Sequence, residues 1–173
     1  AGFTSFDGQL SGTLENPEIA GNAQIDRLRV NQLAFESLSG PVSVSFSNGA
    51  RLNLQGQKDQ IRLVADGSIR QSIQRRAWPE IDFTLRNQQF IATGSGEGRQ
   101  LSAEVAQLPL RELDIQPAVQ YGFGTVTGLA SANVEVDLSD FSNPVAAGRV
   151  EVIEPAILQR SGSAIATMQT STE

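Results

Sequence analysis

The 173-residue chain contains no cysteine and no histidine. Without cysteine there is no disulfide, no thiolate metal site and no cysteine nucleophile. A thiol-free chain suits an oxidising compartment. Without histidine the chain lacks the commonest general base and the commonest transition-metal ligand. Aromatics are sparse at 6%, with a single Trp and a single Tyr, so Val, Ile, Leu and Ala are expected to fill the core. No apolar run approaches the roughly 18 residues of a membrane-spanning helix. Positive charge is thin too: 13 Lys and Arg stand against 19 Asp and Glu, a net charge of −6. The bases are scattered, and Arg70, Arg75 and Arg76 are the nearest approach to a patch. That argues against nucleic acid as a partner.

What the chain has is alternation. Ala130, Ala132, Val134, Val136 and Leu138 interleave with Ser131, Asn133, Glu135 and Asp137. Every second residue is apolar, which predicts a strand with one dry face and one wet face. The pattern recurs at Leu52/Leu54, Ile61/Leu63/Ala65, Ile81/Phe83/Leu85, Leu101/Ala103/Val105 and Val150/Val152. Asn53, Arg62, Asp82, Glu104 and Glu151 fall on the opposite face. Sustained one-sided alternation predicts an all-β, mainly antiparallel sheet; a parallel sheet would show continuous apolar runs. Helix is expected only as short turns, at 108–113 and 68–76, too short to cover a sheet face.

Turn chemistry makes the register testable. One apolar face requires Phe46 and Val44 to lie with Leu52 and Leu54. Pairing Phe46 with Leu52 and Val44 with Leu54 predicts a three-residue loop, Asn48-Gly49-Ala50. Leu54 opposite Ile61 and Leu52 opposite Leu63 centre the next loop on Gln57-Lys58. Leu85 opposite Phe90 and Phe83 opposite Ala92 centre another on Asn87-Gln88. These hairpins agree on a single apolar face, a meander. A weak repeat is also present: Asn16-Pro17-Glu18-Ile19-Ala20-Gly21 and Asn143-Pro144-Val145-Ala146-Ala147-Gly148 each precede an alternating strand. A polar tail is expected from about residue 161 to residue 173, partly disordered. The chain opens on Ala1-Gly2-Phe3-Thr4, already strand-like. The expectation is therefore that residues 1–173 are one segment of a longer protein, with targeting information outside it.

Carboxylates are the candidates for acid/base chemistry. Glu80 and Asp82 share a polar strand face, as do Glu135 and Asp137. Such pairs can flank a glycosidic bond, but exposed carboxylates are the norm on a solvated face. No serine has a histidine partner or a G-x-S-x-G elbow. Gly94-Ser95-Gly96-Glu97-Gly98 lacks the Lys-Ser/Thr and helix of a phosphate loop and reads as a flexible hairpin tip. No D-x-D-x-D-G calcium loop occurs. Trp78-Pro79 reads as packing at a strand entry or as a carbohydrate platform. No enzyme is expected, and no cofactor or metal. The apolar face remains. It is either a sandwich core under a second sheet or the lining of a curled, open one; alternation alone does not separate the two.

Some phrases of the chain resemble a known family. They are Gly8-Gln9-Leu10-Ser11-Gly12, the Asn-Pro-x-x-x-Gly segments ending at Gly21 and Gly148, and Leu108-Pro109-Leu110-Arg111-Glu112-Leu113. Gly124-Thr125-Val126-Thr127-Gly128, running through Asp137-Leu138 to Asn143-Pro144 and Gly148-Arg149-Val150, matches best. In these the chain resembles the C-terminal region of the TamB family and its chloroplast-envelope relatives, within the AsmA-like and bridge-like lipid-transfer proteins. The resemblance implies an elongated, curved sheet, a β-taco or half-pipe, with an apolar concave face. It implies residence in the periplasm or intermembrane space, with an inner-membrane anchor outside this chain. An Omp85-type outer-membrane barrel would be reached through other parts of the protein. The implied work is conducting phospholipid between membranes and assisting outer-membrane biogenesis and protein translocation. Phospholipid acyl chains and the rest of the protein's own chain are then the partners. The groove would be lined by Val44, Phe46, Leu52, Leu54, Ile61, Leu63, Ile81, Phe83, Leu85, Phe90, Leu101, Val105, Val134, Val136, Leu138, Val150 and Val152. The rival reading is an extracellular adhesion or carbohydrate-binding β-sandwich. It needs a covered apolar face and a concentrated polar or aromatic site.

Overall fold

The computed structural model describes residues 3–30, 33–112, 125–140, 142–158 and 164–167. The alternating stretches become strands, because a pleated chain can bury one face and hydrate the other. In chain order these are β1 (Phe3–Gly12), β2 (Pro17–Asp26), β3 (Leu28–Val30), β4 (Leu33–Phe35) and β5 (Leu38–Ser45). Next come β6 (Gly49–Gln55), β7 (Gln60–Asp66), the helix α1 (Ile69–Arg75), β8 (Trp78–Asn87), β9 (Phe90–Gly98) and β10 (Gln100–Pro109). A 3-10 turn at Leu110–Glu112 precedes β11 (Thr125–Asp137), β12 (Val145–Leu158) and β13 (Ala164–Thr167).

Among the described residues, all strands except β3 and β4 form one sheet of eleven, in the order β1-β2-β5-β6-β7-β8-β9-β10-β11-β12-β13. Neighbours are antiparallel throughout. The sheet is an open, curved half-pipe with its apolar face concave. Its edges, β1 and β13, do not pair with each other. Bulges bend the sheet near one end of three successive strands. Gln107 in β10 and Glu154 in β12 take φ of 57° and 50°, and Gly128 in β11 takes 124°. A bulge adds a residue to one strand only and so increases local twist and bend. The strand ends make two opposite borders of the sheet, its rims.

The expected common face is observed. Leu52 pairs with Leu63, Leu54 with Ile61, Leu63 with Phe83 and Ile61 with Leu85, while Asn53, Arg62 and Thr84 pair on the other side. The loop centred on Gln57-Lys58 is as expected. Two other registers are corrected, the first by four residues and the second by two, so the face is kept. Val44 pairs with Ala50 and Val42 with Leu52, and the loop is Phe46-Ser47-Asn48. Gly49 is the cause: it belongs to the ladder, at φ 102°, and a Cβ there would lie 1.8 Å from the Ala65 carbonyl oxygen. Phe46 therefore leaves the ladder for the turn, 37% exposed. Similarly, Leu85 pairs with Ala92, Phe83 with Gly94 and Asn87 with Phe90, around a two-residue loop, Gln88-Gln89. Phe90 stays on the apolar face and is buried.

The glycine-rich stretch 94–98 is a hairpin tip only at its end, where Gln100 pairs with Glu97 and Gly98-Arg99 make the turn. Gly94 and Gly96 lie inside β9, and a Cβ on Gly94 would meet the Phe83 ring at 2.4 Å. Glycine there gives an aromatic neighbour room to lie across the sheet. The two Asn-Pro segments take equivalent places. Gly21 and Gly148 both fall on the rung that runs through Leu63. In the segment 108–113, Leu108 and Pro109 end β10 and Leu110–Glu112 form the 3-10 turn, with Leu113 outside the described residues. Within the expected tail, Ala164–Thr167 forms the short β13; residues 161–163 and 168–173 lie outside the described residues.

Gly49→Ala is expected to destabilise the chain by roughly 2–4 kcal/mol, from left-handed strain plus a backbone clash. Gly98→Ala, also at positive φ but with nothing within 4 Å of the new Cβ, should cost about 1 kcal/mol. Urea unfolding of both variants checks this. Equal losses would put the register at Gly49 in error.

Candidate functional site

The concave face is built from rungs, residues paired straight across the sheet. The middle rung reads Gly8, Gly21, Val42, Leu52, Leu63, Phe83, Gly94, Ala103, Val134 and Gly148. Beside it runs Leu10, Ile19, Val44, Ala50, Ala65, Ile81, Gly96, Leu101, Val136 and Ala146. Toward the other rim lie Leu54, Ile61, Leu85, Ala92, Val105, Ala132 and Val150, then Leu108, Ala130 and Val152. No charged residue interrupts any of them. Leu138 follows β11, where its N–H donates to the Arg99 carbonyl at 2.6 Å. All the expected lining positions except Phe46 therefore sit on or next to one surface.

No second sheet covers this face among the described residues, so the sandwich alternative for the fold is set aside. Its flanks are open: Leu10 is 76% exposed and Val150 64%. Only the middle is roofed, from both rims. At one rim the β3–β4 hairpin folds over the sheet and buries Phe35 against Leu38 and Leu54. Ile25, Leu28, Leu33, Val42, Leu52, Ile61 and Leu85 pack around this cluster. Polar pins hold the hairpin down. The buried Asp59, in the β6–β7 turn, accepts the Glu36 N–H on Oδ2 at 2.8 Å. Asn87 donates its side-chain amide to the Ala34 carbonyl at 2.8 Å. Ser37 donates its hydroxyl to Asp26 across the base of the excursion. That bond, and then those from Gln24, hold the Asp26 carboxyl below the usual carboxylate range.

At the opposite rim, α1 lies over β7 and β8. Ser68 caps it, its hydroxyl accepting the Gln71 N–H at 3.2 Å. Ile69, Ser72, Ile73 and Arg76 recur at helical spacing on one face, which Cβ geometry stacks together. With Leu63, Ala65, Ile81, Trp78 and Pro79 they enclose a cleft of about 530 Å³. The helix is short, as expected, but the expectation that it is too short to cover a sheet face is corrected: Ile69 and Ile73 lie over Leu63, Ala65 and Ile81. Trp78 is where a strand-entry reading puts it, but it lines this cleft as well.

The carboxylate pairs face outward. Asp82 pairs with Ser95, Glu135 with Ser102, and all four acids are exposed. Ser139 donates its backbone N–H to Asp137 at 2.8 Å, and hydrogen bonds from its side chain and backbone lower the pKa of that carboxyl. A carboxyl so held favours the ionised form and is a poor general acid. Two features escaped the sequence pattern, the β3–β4 hairpin and the buried Asp59. The hairpin had a signal, since Leu28-Arg29-Val30 and Leu33-Ala34-Phe35 alternate on either side of Asn31. Asp59 had none. No helix among the described residues is long and apolar enough to cross a membrane, and no cluster of candidate metal ligands occurs among them.

No family model, no curated protein and no solved structure matches this chain.

Asp59→Ala leaves the Glu36 N–H without its partner, a loss of roughly 1–3 kcal/mol. Hydrogen exchange should quicken across 28–36 before it does elsewhere in the sheet. Unchanged exchange there would mean that the hairpin is held by packing alone. Acid should also loosen its base. The depressed pKa of Asp26 gives stability that is present above the unfolded value and lost as pH falls through the folded one. Ser37→Ala should weaken that pH dependence, leaving the smaller part that the Gln24 bonds supply.

Proposed function

We propose that this chain is a non-enzymatic segment of a lipid conduit, whose concave face carries acyl chains while headgroups stay at the open rim. One observation carries the reading: apolar rungs run across ten strands with no charge among them. At about 4.8 Å per strand this gives a track of roughly 45–50 Å. Each buried methylene contributes about 0.8 kcal/mol, so part of one chain is held usefully but reversibly. Sliding needs such a surface, with no deep charge clamp along its floor. The open flanks support the reading, since apolar side chains such as Leu10 and Val150 stay exposed there with none of the described residues above them. So does the open β1 edge, exposed along its whole length. An open edge can receive further strands and lengthen the groove. The resemblance drawn from the sequence implies the setting: an envelope protein linking two membranes, working with an outer-membrane barrel.

Photo-crosslinking from positions on the two faces tests this. Adducts to lipid should form from the concave face and not from Arg62 or Glu104 on the convex one. Val134→Asp and Leu63→Asp should each reduce lipid capture about tenfold or more, about 1.4 kcal/mol. Asp82→Ala and Glu135→Ala should leave it unchanged. Equal labelling from both faces would sink the proposal, as would full lipid capture by Val134→Asp.

A further inference from the structure

We infer that the cleft between α1 and the sheet seats one acyl chain of an anionic phospholipid, with Arg76 holding the headgroup phosphate. This rests on the acyl-groove reading and adds a lipid class and a place. The cleft is about 530 Å³, within the roughly 300–1,000 Å³ usual for small-ligand sites. Its floor is Leu63, Ala65 and Ile81, three positions of the apolar rungs, and its roof is Ile69 and Ile73 of α1. Ile73 is 69% exposed and Trp78 43%, so the roof leaves apolar surface uncovered where an acyl chain would fit.

Charge makes the choice among lipids. The stretch 68–79 carries Arg70, Arg75 and Arg76 and no acid, in a chain of net charge −6. Arg76 follows Ile69, Ser72 and Ile73 on the cleft side of the helix and is itself one of the residues that line the apolar seat. It is the C-cap, in the left-handed region at φ 50°, with its N–H bonded to the carbonyls of Ser72 and Ile73. The ion pair that the described residues form is Arg51–Asp66. None of the three α1 arginines pairs with a carboxylate there. Guanidinium is the side chain best matched to a phosphate oxygen pair. A zwitterionic head would bring its own cation against the same arginines. The combination selects phosphate without a compensating ammonium, attached to a chain that the cleft can bury.

Trp78 is the sole tryptophan of the chain and lines this cleft, so it reports directly. Phosphatidylglycerol and phosphatidylcholine brominated on their acyl chains are added to the whole chain, and Trp78 quenching is titrated. A second readout, retention of fluorescently labelled lipid by the protein, scores the groove as a whole. Phosphatidylglycerol should quench at about tenfold lower concentration, a difference of about 1.4 kcal/mol. Arg76→Asn should abolish that preference while leaving quenching by phosphatidylcholine unchanged, because Asn tolerates left-handed backbone. Ile73→Glu should abolish quenching by both lipids yet retain labelled lipid elsewhere in the groove. Equal quenching by the two lipids in the native chain overturns the inference, and so does a preference that survives in Arg76→Asn. In both cases retained lipid leaves the conduit reading standing. Failure to retain either lipid removes both.

Discussion

Each strand pair meets at a register that keeps Leu52, Leu63 and Phe83 on one side of the sheet. A slip of one residue at any pair would turn the next strand's apolar set to water and its charges to the groove. The two registers that differ from the pattern-based expectation differ by an even number of residues, four and two. That is the shift which period-two geometry tolerates, because side chains return to the same face. Small residues supply the remaining freedom. Gly94 lets Phe83 lie flat, and Ala65 and Ala103 keep the floor low where larger groups would fill the pipe.

A sheet with one dry face must do something with it. Among the described residues, the middle of the face is roofed and the flanks are not. The roof is made of small pieces, a two-stranded hairpin and a helix of seven residues, neither with a core of its own. Each holds because it lays a few aliphatic side chains onto the rungs and fixes its position with polar bonds at the rim. The hairpin relies on Asp59, Asn87 and Asp26. The helix relies on the Ser68 cap, and the Ser68 hydroxyl also donates to the Phe46 carbonyl at 3.3 Å. Phe46, expected in the ladder, thus serves at the turn where α1 is moored.

These pieces give the groove a middle that differs from its flanks. Over β6 to β8 the hairpin takes the rungs nearest one rim and α1 those nearest the other, with Leu52 and Leu63 between them. A uniform floor suits sliding, and a basic helix beside an apolar seat suits stopping. In the proposed conduit, conduction and recognition would be separated along one surface: the apolar rungs carry no charge, and Arg70, Arg75 and Arg76 stand together at the α1 rim.

The sequence by itself determined the fold class, the antiparallel meander, which residues share a face and the absence of charge on that face. All of these follow from a period of two that can be counted along the chain. Absence of histidine and cysteine was equally legible, and with it the poverty of acid/base and thiol chemistry. Tertiary structure alone decided that the apolar face curls open instead of receiving a second sheet. Curvature comes from bulges at Gln107, Gly128 and Glu154, and a bulge is a relation between two strands, not a property of either. Tertiary structure also placed Asp59 beneath the hairpin and Arg76 beside Leu63 and Ile81. These groups are brought together by long-range pairing across the sheet, and neither has a local signal, since a buried carboxylate and a solvated one look the same in a sequence.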